Sequence, residues 1–256
     1  MEPTRPTRRV FVRNASGVAA LAAAGVPLAA AGCALDTEPD APGTEQTGEE
    51  PGEGGPPQAL SGPRSALATP GPMLPPVPAV LLTVNGAPGD PDEISVVWSF
   101  VLNGDPAHIG ISVGDEHVAG PLIATHGEFV LNLPVADMIE PFDRVDMNSS
   151  RVGDKFELSG LTRGSASAVD APTVEESPLH LECRVLDTIT LPPARTVFFA
   201  EVVATAVLDG VVDENERLIV ANVPFFGMTA GSGEFYTMGQ SIGHIGRTVG
   251  RDDIRY

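Results

Sequence analysis

The pattern of apolar residues from position 76 onward predicts a domain built mainly of β-strands. Short apolar or alternating runs are separated by glycine, proline, aspartate and asparagine. These runs are rich in valine, isoleucine, phenylalanine and threonine, which favour extended structure. The predicted strands cover residues 77–84, 94–102, 108–113, 128–133, 179–191, 196–208, 217–220 and 235–238.

Two stretches between these strands predict helices. Residues 119–126 form a short one, and residues 135–145 begin after Pro134 with Asp137 and Glu140 near the start, where acidic side chains favour the helix dipole. Many strands and few helices together predict a β-barrel with helical excursions.

The first 75 residues lack this pattern. Residues 34–75 are dense in proline, glycine and acidic residues, so they cannot bury enough apolar surface to offset the entropy of ordering. We therefore expect three regions: an export signal at 1–33, a disordered acidic linker at 34–75 and one folded domain at 76–256.

The N-terminal segment has the features of an export signal. Residues 8–11 contain an arginine pair followed by phenylalanine and resemble the twin-arginine signal; an apolar run at 17–31 comes next. The run leads into Cys33 in a setting similar to a lipobox, in which the cysteine is lipidated. Two alternatives stay open, namely cleavage after Ala31 that leaves Cys33 free, and an uncleaved membrane anchor. We expect an exported domain, lipid-anchored in the cell envelope outside the cytoplasm.

The charge of the chain excludes several classes of partner. Its formal net charge is −19, and most of this charge lies in residues 76–256. Such a domain repels the phosphates of nucleic acids and offers no basic face to anionic lipids. We expect no nucleic-acid partner and membrane contact only through a lipid anchor. An anionic cofactor would need local positive groups, so each cation is informative.

The sequence contains no recognisable catalytic or metal-binding motif. The two cysteines, Cys33 and Cys183, form no disulfide framework, and Cys183 lies in an apolar run where we expect a buried, unreactive thiol. The five histidines are too far apart in sequence to predict a metal site. A nucleophile elbow and a phosphate-binding P-loop are also absent. We therefore name no catalytic residue and no metal ligand.

One polar segment suggests a phosphate site. Lys155, the only lysine of the chain, follows Arg151 and two serines, Ser149 and Ser150, in a predicted mobile loop. Hydroxyl, guanidinium and ammonium groups together can bind a phosphate monoester. A surface turn with solvated charges is the alternative interpretation.

Several segments, in the same order, resemble the blocks of the flavoredoxin-type flavin reductase family. The most characteristic covers 149–162, similar to the family pattern Ser-Gly-Arg, Asp-Lys-Phe and Gly-Leu-Thr. The resemblance implies an FMN-binding split β-barrel that forms a homodimer with the flavin near the interface. The other matching segments are 94–99, 127–134, 169–172, 181–185, 198–203 and 235–239.

The resemblance also assigns a cofactor site. It places the strand at 95–98 along the isoalloxazine ring, with backbone polar groups facing the ring edge, although Trp98 can equally be a core residue. It assigns the phosphate and nearby polar atoms to the hydroxyls and cations of the 149–155 segment. The predicted FMN-binding residues are Ser95, Val96, Val97, Trp98, His117, Ser149, Ser150, Arg151 and Lys155.

Three departures from the family pattern weaken this assignment. Val97 replaces a small residue, Asp92 replaces an asparagine, and Val118 replaces a hydroxyl. They suggest an alternative, a non-catalytic split-barrel module that has lost FMN. A third possibility is a related barrel with a deazaflavin or pyridoxal-type cofactor.

The function that the resemblance implies is that of an FMN-dependent oxidoreductase. Relatives pass reducing equivalents from a pyridine nucleotide or another carrier to an acceptor. Because pyridine nucleotides are scarce outside the membrane, we expect a membrane or protein electron donor. The sequence identifies neither this donor nor the acceptor.

Overall fold

The computed structural model describes residues 63–251; the predicted signal, Cys33 and most of the predicted linker lie outside this range. Twelve strands occur in the described part: β1 (Val77–Pro78), β2 (Leu81–Val84), β3 (Glu93–Val96), β4 (Trp98–Gly104), β5 (Ala107–Gly114), β6 (Glu128–Leu133), β7 (Arg163–Ser165), β8 (Pro172–Val174), β9 (Leu179–Leu191), β10 (Arg195–Val207), β11 (Phe226–Met228) and β12 (Phe235–Thr237).

The helices of the described part are short. They are α1 (Ala119–His126), α2 (Ile139–Met147) and α3 (Lys155–Ser159), with 3₁₀ turns at Ala136–Met138, Val220–Asn222 and Arg247–Val249. No helix within residues 63–251 has both the length and the apolar character needed to span a bilayer.

All strand pairs are antiparallel and form three sheets. The largest sheet has seven strands in the order β3-β2-β6-β9-β10-β5-β4. A second sheet has the order β1-β11-β12, and β7 pairs with β8 alone. This mainly β architecture confirms the predicted split barrel with a few helices.

Most predicted elements occur where the sequence placed them. Helix α1 and strands β6 and β9 have the predicted bounds, because glycine or proline marks their ends: Gly127 separates α1 from β6, Pro134 follows β6, and Pro178 and Pro192 flank β9. The predicted strand at 94–102 is divided at Val97 into β3 and β4. Likewise, the run at 77–84 forms two strands rather than one.

One predicted strand is wrong, and several short elements were not predicted. Residues 217–220 form only a single bridge, between Val212 and Leu218, because a local turn occupies this segment. Helix α3 and strands β7, β8 and β11 have at most five residues each, too few to show a period.

Left-handed glycines end two of the helices. Gly127 follows α1 with a φ of 71°, and Gly160 follows α3 with a φ of 76°. Glycine adopts this conformation without steric cost. At the other end of α3, the Asp154 carboxylate accepts a hydrogen bond of 2.9 Å from the Phe156 N–H. The sequence Asp-Lys-Phe-Glu-Leu-Ser-Gly therefore encodes a complete, capped helical turn.

Two apolar cores lie on opposite faces of the large sheet. The first contains side chains of β2, β5, β6, β9, β10 and α1, with Phe129 and Phe198 among the largest. The second packs Leu81 and Ile94 of the sheet against Phe142 of α2 and Phe156 of α3. Because both faces of β2 are covered, its four residues are all buried and three of them are apolar.

A buried amide connects three strands. The Asn132 side chain of β6 donates to the Leu81 carbonyl and to Thr83 Oγ1, both at 3.0 Å, and accepts from the Val174 N–H at 2.8 Å. The family-like asparagine at 132 therefore has a structural role in the scaffold.

A buried carboxylate fastens the loop before β8 to β9. Glu182 is 1% exposed and accepts hydrogen bonds from the N–H and hydroxyl of Ser167 and from the N–H of Ala168. Burial alone would raise the pKa of Glu182, but these donors and the Val169 N–H outweigh it and hold the pKa below its ordinary value. The next residue, Cys183, is fully buried, which raises the pKa of its thiol and confirms the expected unreactive environment.

We predict that Glu182→Gln lowers the free energy of unfolding at pH 7 by about 2 kcal/mol, since hydrogen bonds to a charged acceptor are lost. Because the folded-state pKa is depressed, this stabilisation is complete above the ordinary pKa of 4.5 and is lost as the pH falls below it. Urea unfolding of both proteins across this range measures the difference. The exposed Glu157→Gln change in α3 is the control, and equal stability of Glu182→Gln and wild type at pH 7 would contradict the prediction.

Candidate functional site

The break between β3 and β4 creates an irregular strand segment. Val96 pairs with Leu81 of β2, and Trp98 pairs with Ser112 of β5, but Val97 belongs to neither ladder. The Val97 side chain is 4% exposed and packs in the first core, whereas Trp98 is 38% exposed. The predicted alternative that Trp98 is a core residue is therefore wrong.

A cavity of about 460 Å³ opens beside this break. Its wall combines the end of β3, the start of β4, the end of β5 and the loop after β11. The lining residues are Val96, Val97, Trp98, Ser112, Val113, Gly114, His117, Asp146, Arg195, Met228, Thr229, Ala230, Gly231, Ser232 and Gly233. Val96 and Met228 give the wall an apolar part next to a few charged groups, a combination that suits a flat ligand with an anionic part.

Arg195 is the permanent cation of this cavity. It begins β10, where it pairs with Gly114 and lies on the same sheet face as Ser112 and Trp98. Its guanidinium carbon is 4.7 Å from the centre of the Trp98 ring. One terminal nitrogen, Nη1, donates to the Ser112 carbonyl at 3.1 Å and lies 3.3 Å from the Ser112 hydroxyl. The stacking and the hydrogen bonds together fix the plane of the guanidinium.

Two titratable groups line the same cavity. His117 Nε2 lies 3.5 Å from the Glu116 carboxylate. Burial raises the pKa of the Asp146 carboxyl above its ordinary value, and nearby Asp143 adds to this; the positive charges of His117 and Lys155 act in the opposite direction. Asp146 therefore holds its proton to a higher pH than an isolated aspartate in water does.

Lys155 is not in a mobile loop, and this part of the prediction is wrong. It is the first residue of α3 and is only 5% exposed. Its ammonium lies 3.2 Å from Glu93 Oε1, which also accepts a 2.6 Å hydrogen bond from the Ser95 hydroxyl. Lys155 and Ser95 thus share a buried carboxylate next to the end of β3. Neither of them is among the residues that line the cavity.

The other predicted phosphate-binding residues lie in a surface turn between α2 and α3. Ser149 and Arg151 are exposed, and Ser150 is half-buried. The Ser149 hydroxyl accepts a hydrogen bond from the Arg151 N–H at 3.3 Å, and none of the three residues lines the cavity. Of the predicted residues, the cavity brings together Val96, Val97, Trp98 and His117.

The sequence analysis did not single out Arg195, Asp146 or the loop at 228–233. Arg195 had one usable signal, because it is one of the few cations in an acidic chain and directly precedes a predicted strand. Asp146 had none, since acidic residues are abundant. The loop reaches the cavity only because β11 and β12 form a separate sheet.

A larger groove, of about 990 Å³, lies next to this cavity, shares Met228 and Thr229 with it, and runs between Pro75-Pro76 and the segment 236–243. It has no charged lining residue. Polar groups that converge on a pocket are what orient a ligand, so we regard the smaller, charged cavity as the candidate site.

The fold and this cavity define a split-barrel protein with a charged pocket at a strand break. Residues 75–225 match the family model described as flavin reductase like domain, which covers more than half of the chain. The protein belongs to this family.

The curated relatives are distant. A protein of Archaeoglobus fulgidus is 25% identical over 134 residues, which cover 51% of this chain and 75% of the relative. The chain spans 61% and 58% of two further relatives, from Pyrococcus abyssi and Halalkalibacterium halodurans.

Solved structures share the fold. Flavoredoxin of Desulfovibrio vulgaris is 21% identical with a TM-score of 0.65, and the match covers 71% of this chain and 97% of that one. An FMN-binding protein from Thermus thermophilus is 18% identical with a TM-score of 0.55, covering 70% and 96%. At these identities the likeness concerns the fold.

Proposed function

We propose that the protein is an FMN-binding flavoprotein oxidoreductase of the flavoredoxin type. The observation that carries the proposal is a cavity at the β3–β4 break in a chain of the flavin reductase like family. The break falls on Val97, within the strand that the sequence resemblance assigns to the isoalloxazine ring.

The lining residues fit a flavin. Val96 is half-buried and supplies apolar surface. Val97 lies outside both ladders, so its peptide groups are not used in sheet pairing. Almost all of the Val97 side chain is buried in the first core, which limits the crowding that its size suggested. Arg195 supplies a positive charge. An aromatic edge, apolar walls and one cation are the groups that a phosphorylated ring system requires.

FMN, when bound, supplies the redox chemistry. The chain's own residues bind the ring, orient it and exclude water from its apolar face. Asp146 and His117 can hold or release a proton at the cavity wall. Transfer of electrons or hydride itself needs no side-chain acid, in agreement with the absence of a catalytic motif in the sequence.

A second candidate is a split-barrel module that binds another ligand without catalysis. Asp146 favours it, because a carboxylate on the cavity wall opposes an anionic cofactor when it is ionised. Val118, at the start of α1, also lacks the hydroxyl of the family pattern. Direct binding of FMN discriminates between the two candidates.

We predict that the protein purified from its native host is yellow and that its flavin bands bleach on reduction. Protein without flavin takes up FMN with heat release and a higher unfolding temperature, because a ligand that binds only the folded state stabilises it. Absorbance spectra and calorimetric titration measure both. Colourless protein that neither releases heat nor gains stability with FMN would favour the non-catalytic module.

We further propose that the protein forms a homodimer through the edge strand β4. Trp98, Phe100, Val101 and Leu102 are 38%, 41%, 79% and 45% exposed. The strand contains no charged residue and lies at the end of the large sheet, where unpaired backbone groups favour association. Because Trp98 also lines the cavity, a second copy docked on β4 borders the candidate site.

We predict that Phe100→Asp shifts the protein from dimer to monomer, because a buried carboxylate opposes the apolar contact. Sedimentation equilibrium at a fixed micromolar concentration measures the change. Leu158→Asp in α3 is the matched control, since Leu158 is 44% exposed and outside the sheet. A monomeric wild-type protein would contradict this prediction.

We also propose that the N-terminal segment directs export and lipidation at Cys33. The arginine pair, the apolar run and the lipobox-like residues support this, and the acidic, proline-rich stretch after them suits a tether. The electron donor is then a membrane or protein carrier rather than a soluble pyridine nucleotide.

We predict that Cys33→Ser abolishes lipid labelling of the protein and releases it from the membrane fraction. Metabolic labelling with a radioactive fatty acid, followed by fractionation, measures both. The control is Cys183→Ala, which alters the other cysteine and should retain the label. Labelling that persists in Cys33→Ser would show that Cys33 is not the modified residue.

A further inference from the structure

Arg195, in the cavity at the β3–β4 break, forms no ion pair with an acidic side chain of the described residues, although Asp146 lines the same cavity and the Glu116 carboxylate lies against Gly114, the ladder partner of Arg195. Arg144, Lys155 and Arg163 each form an ion pair with a carboxylate of the described part of the chain. Arg195 forms none, although it is half-buried in a strongly acidic protein. An anion that enters the cavity and bonds directly to this partly desolvated guanidinium stabilises it.

The geometry of Arg195 leaves its remaining donors for such an anion. Nη1 is used by Ser112, while Nε and Nη2 have no hydrogen-bond partner among the described residues. The Trp98 ring covers one face of the guanidinium and restricts its movement. With the guanidinium held in place, its Nε and Nη2 groups can donate two parallel hydrogen bonds to the oxygens of a phosphate or carboxylate.

The other cations near the cavity are less suitable. The Lys155 ammonium is engaged with the buried Glu93 carboxylate, and taking it away would leave that charge unpaired. Arg151 is exposed in the turn between α2 and α3 and does not line the cavity. The hydroxyls of Thr229 and Ser232 bind each other, and Ser232 also donates to Glu234 at 3.0 Å. Among these groups, Arg195 is therefore the one with hydrogen-bond donors available for an anion.

We propose that Arg195 binds the phosphate monoester of the ligand in this cavity, and that Lys155 instead holds β3 in place through Glu93. The proposal rests on the proposed function for the identity of the ligand as FMN. It assigns the phosphate to the first residue of β10 rather than to the segment 149–155.

The test compares FMN with riboflavin, which has the same ring and no phosphate. Flavin fluorescence titrations are made with wild type, Arg195→Gln, Arg195→Lys and Arg144→Gln. Arg144→Gln is the matched control, because it removes the same charge from an exposed arginine outside the cavity.

We expect Arg195→Gln to weaken FMN binding at least about tenfold, the usual worth of a charge-assisted hydrogen bond. Its riboflavin affinity should change less than about threefold, which is within the scatter of a neutral contact. Arg195→Lys should be intermediate because it keeps the charge but loses the planar fork. Arg144→Gln should bind both flavins like wild type.

Equal loss for both flavins, or no loss for either, would overturn the assignment while leaving FMN binding intact. Circular dichroism of Arg195→Gln and Arg195→Lys detects misfolding, since Arg195 also binds Ser112 of the neighbouring strand. If Arg195→Gln does not fold, the test uses Arg195→Lys instead: a larger loss of affinity for FMN than for riboflavin supports the assignment, and an equal loss contradicts it.

A separate measurement distinguishes failure of this inference from failure of the proposed function. If wild type binds neither flavin, its unfolding temperature is compared in phosphate and in chloride at equal ionic strength. If phosphate stabilises wild type and Arg144→Gln but not Arg195→Gln, the anion site at Arg195 is supported and the flavin is rejected as its ligand. If phosphate does not stabilise wild type either, the anion site and the proposed function are both wrong.

Discussion

Lys155 and Glu93 form a buried ion pair. Their side chains are 6% and 2% exposed, and the carboxylate also accepts a hydrogen bond from Ser95. Either charge alone would be strongly destabilising in this position, so α3 must pack against β3. The pair therefore anchors the strand immediately before Val97, where the sheet breaks and the cavity opens. The candidate site depends on an ion pair that does not face it.

The cavity combines opposite electrostatic tendencies. Arg195 attracts an anion, whereas Asp146 repels one unless it is protonated, and burial raises the pKa of that carboxyl. In a chain with a net charge of −19, the long-range field also opposes anionic ligands. Short-range contacts with one fixed guanidinium must outweigh that field. This balance makes the phosphate the most sensitive part of the proposed ligand, and it explains why the alternative of a module without FMN has physical support.

The success of the sequence predictions depended on clear boundary residues. Strand β9 and helix α1 were predicted with their bounds, because prolines flank β9 and Gly127 ends α1. The segment 217–220 is apolar but short, and a local turn leaves it without a strand partner. At the site, Val96 and Trp98 were predicted to share a surface and do line one cavity. Their closeness follows from being two positions apart in sequence, whereas the break between them, which opens the cavity, was not predicted.

The amino-acid sequence by itself determined that the domain is rich in strands and contains the family-like segments. Both features depend on residues that are close together along the chain. Tertiary structure alone decided which cation meets the cavity. Lys155, conspicuous as the only lysine, is buried against Glu93. Arg195, inconspicuous in sequence, is aligned with Trp98 across β5 by strand register. Pairing between residues some eighty to one hundred positions apart is set by the assembled sheet, so no local pattern could reveal it.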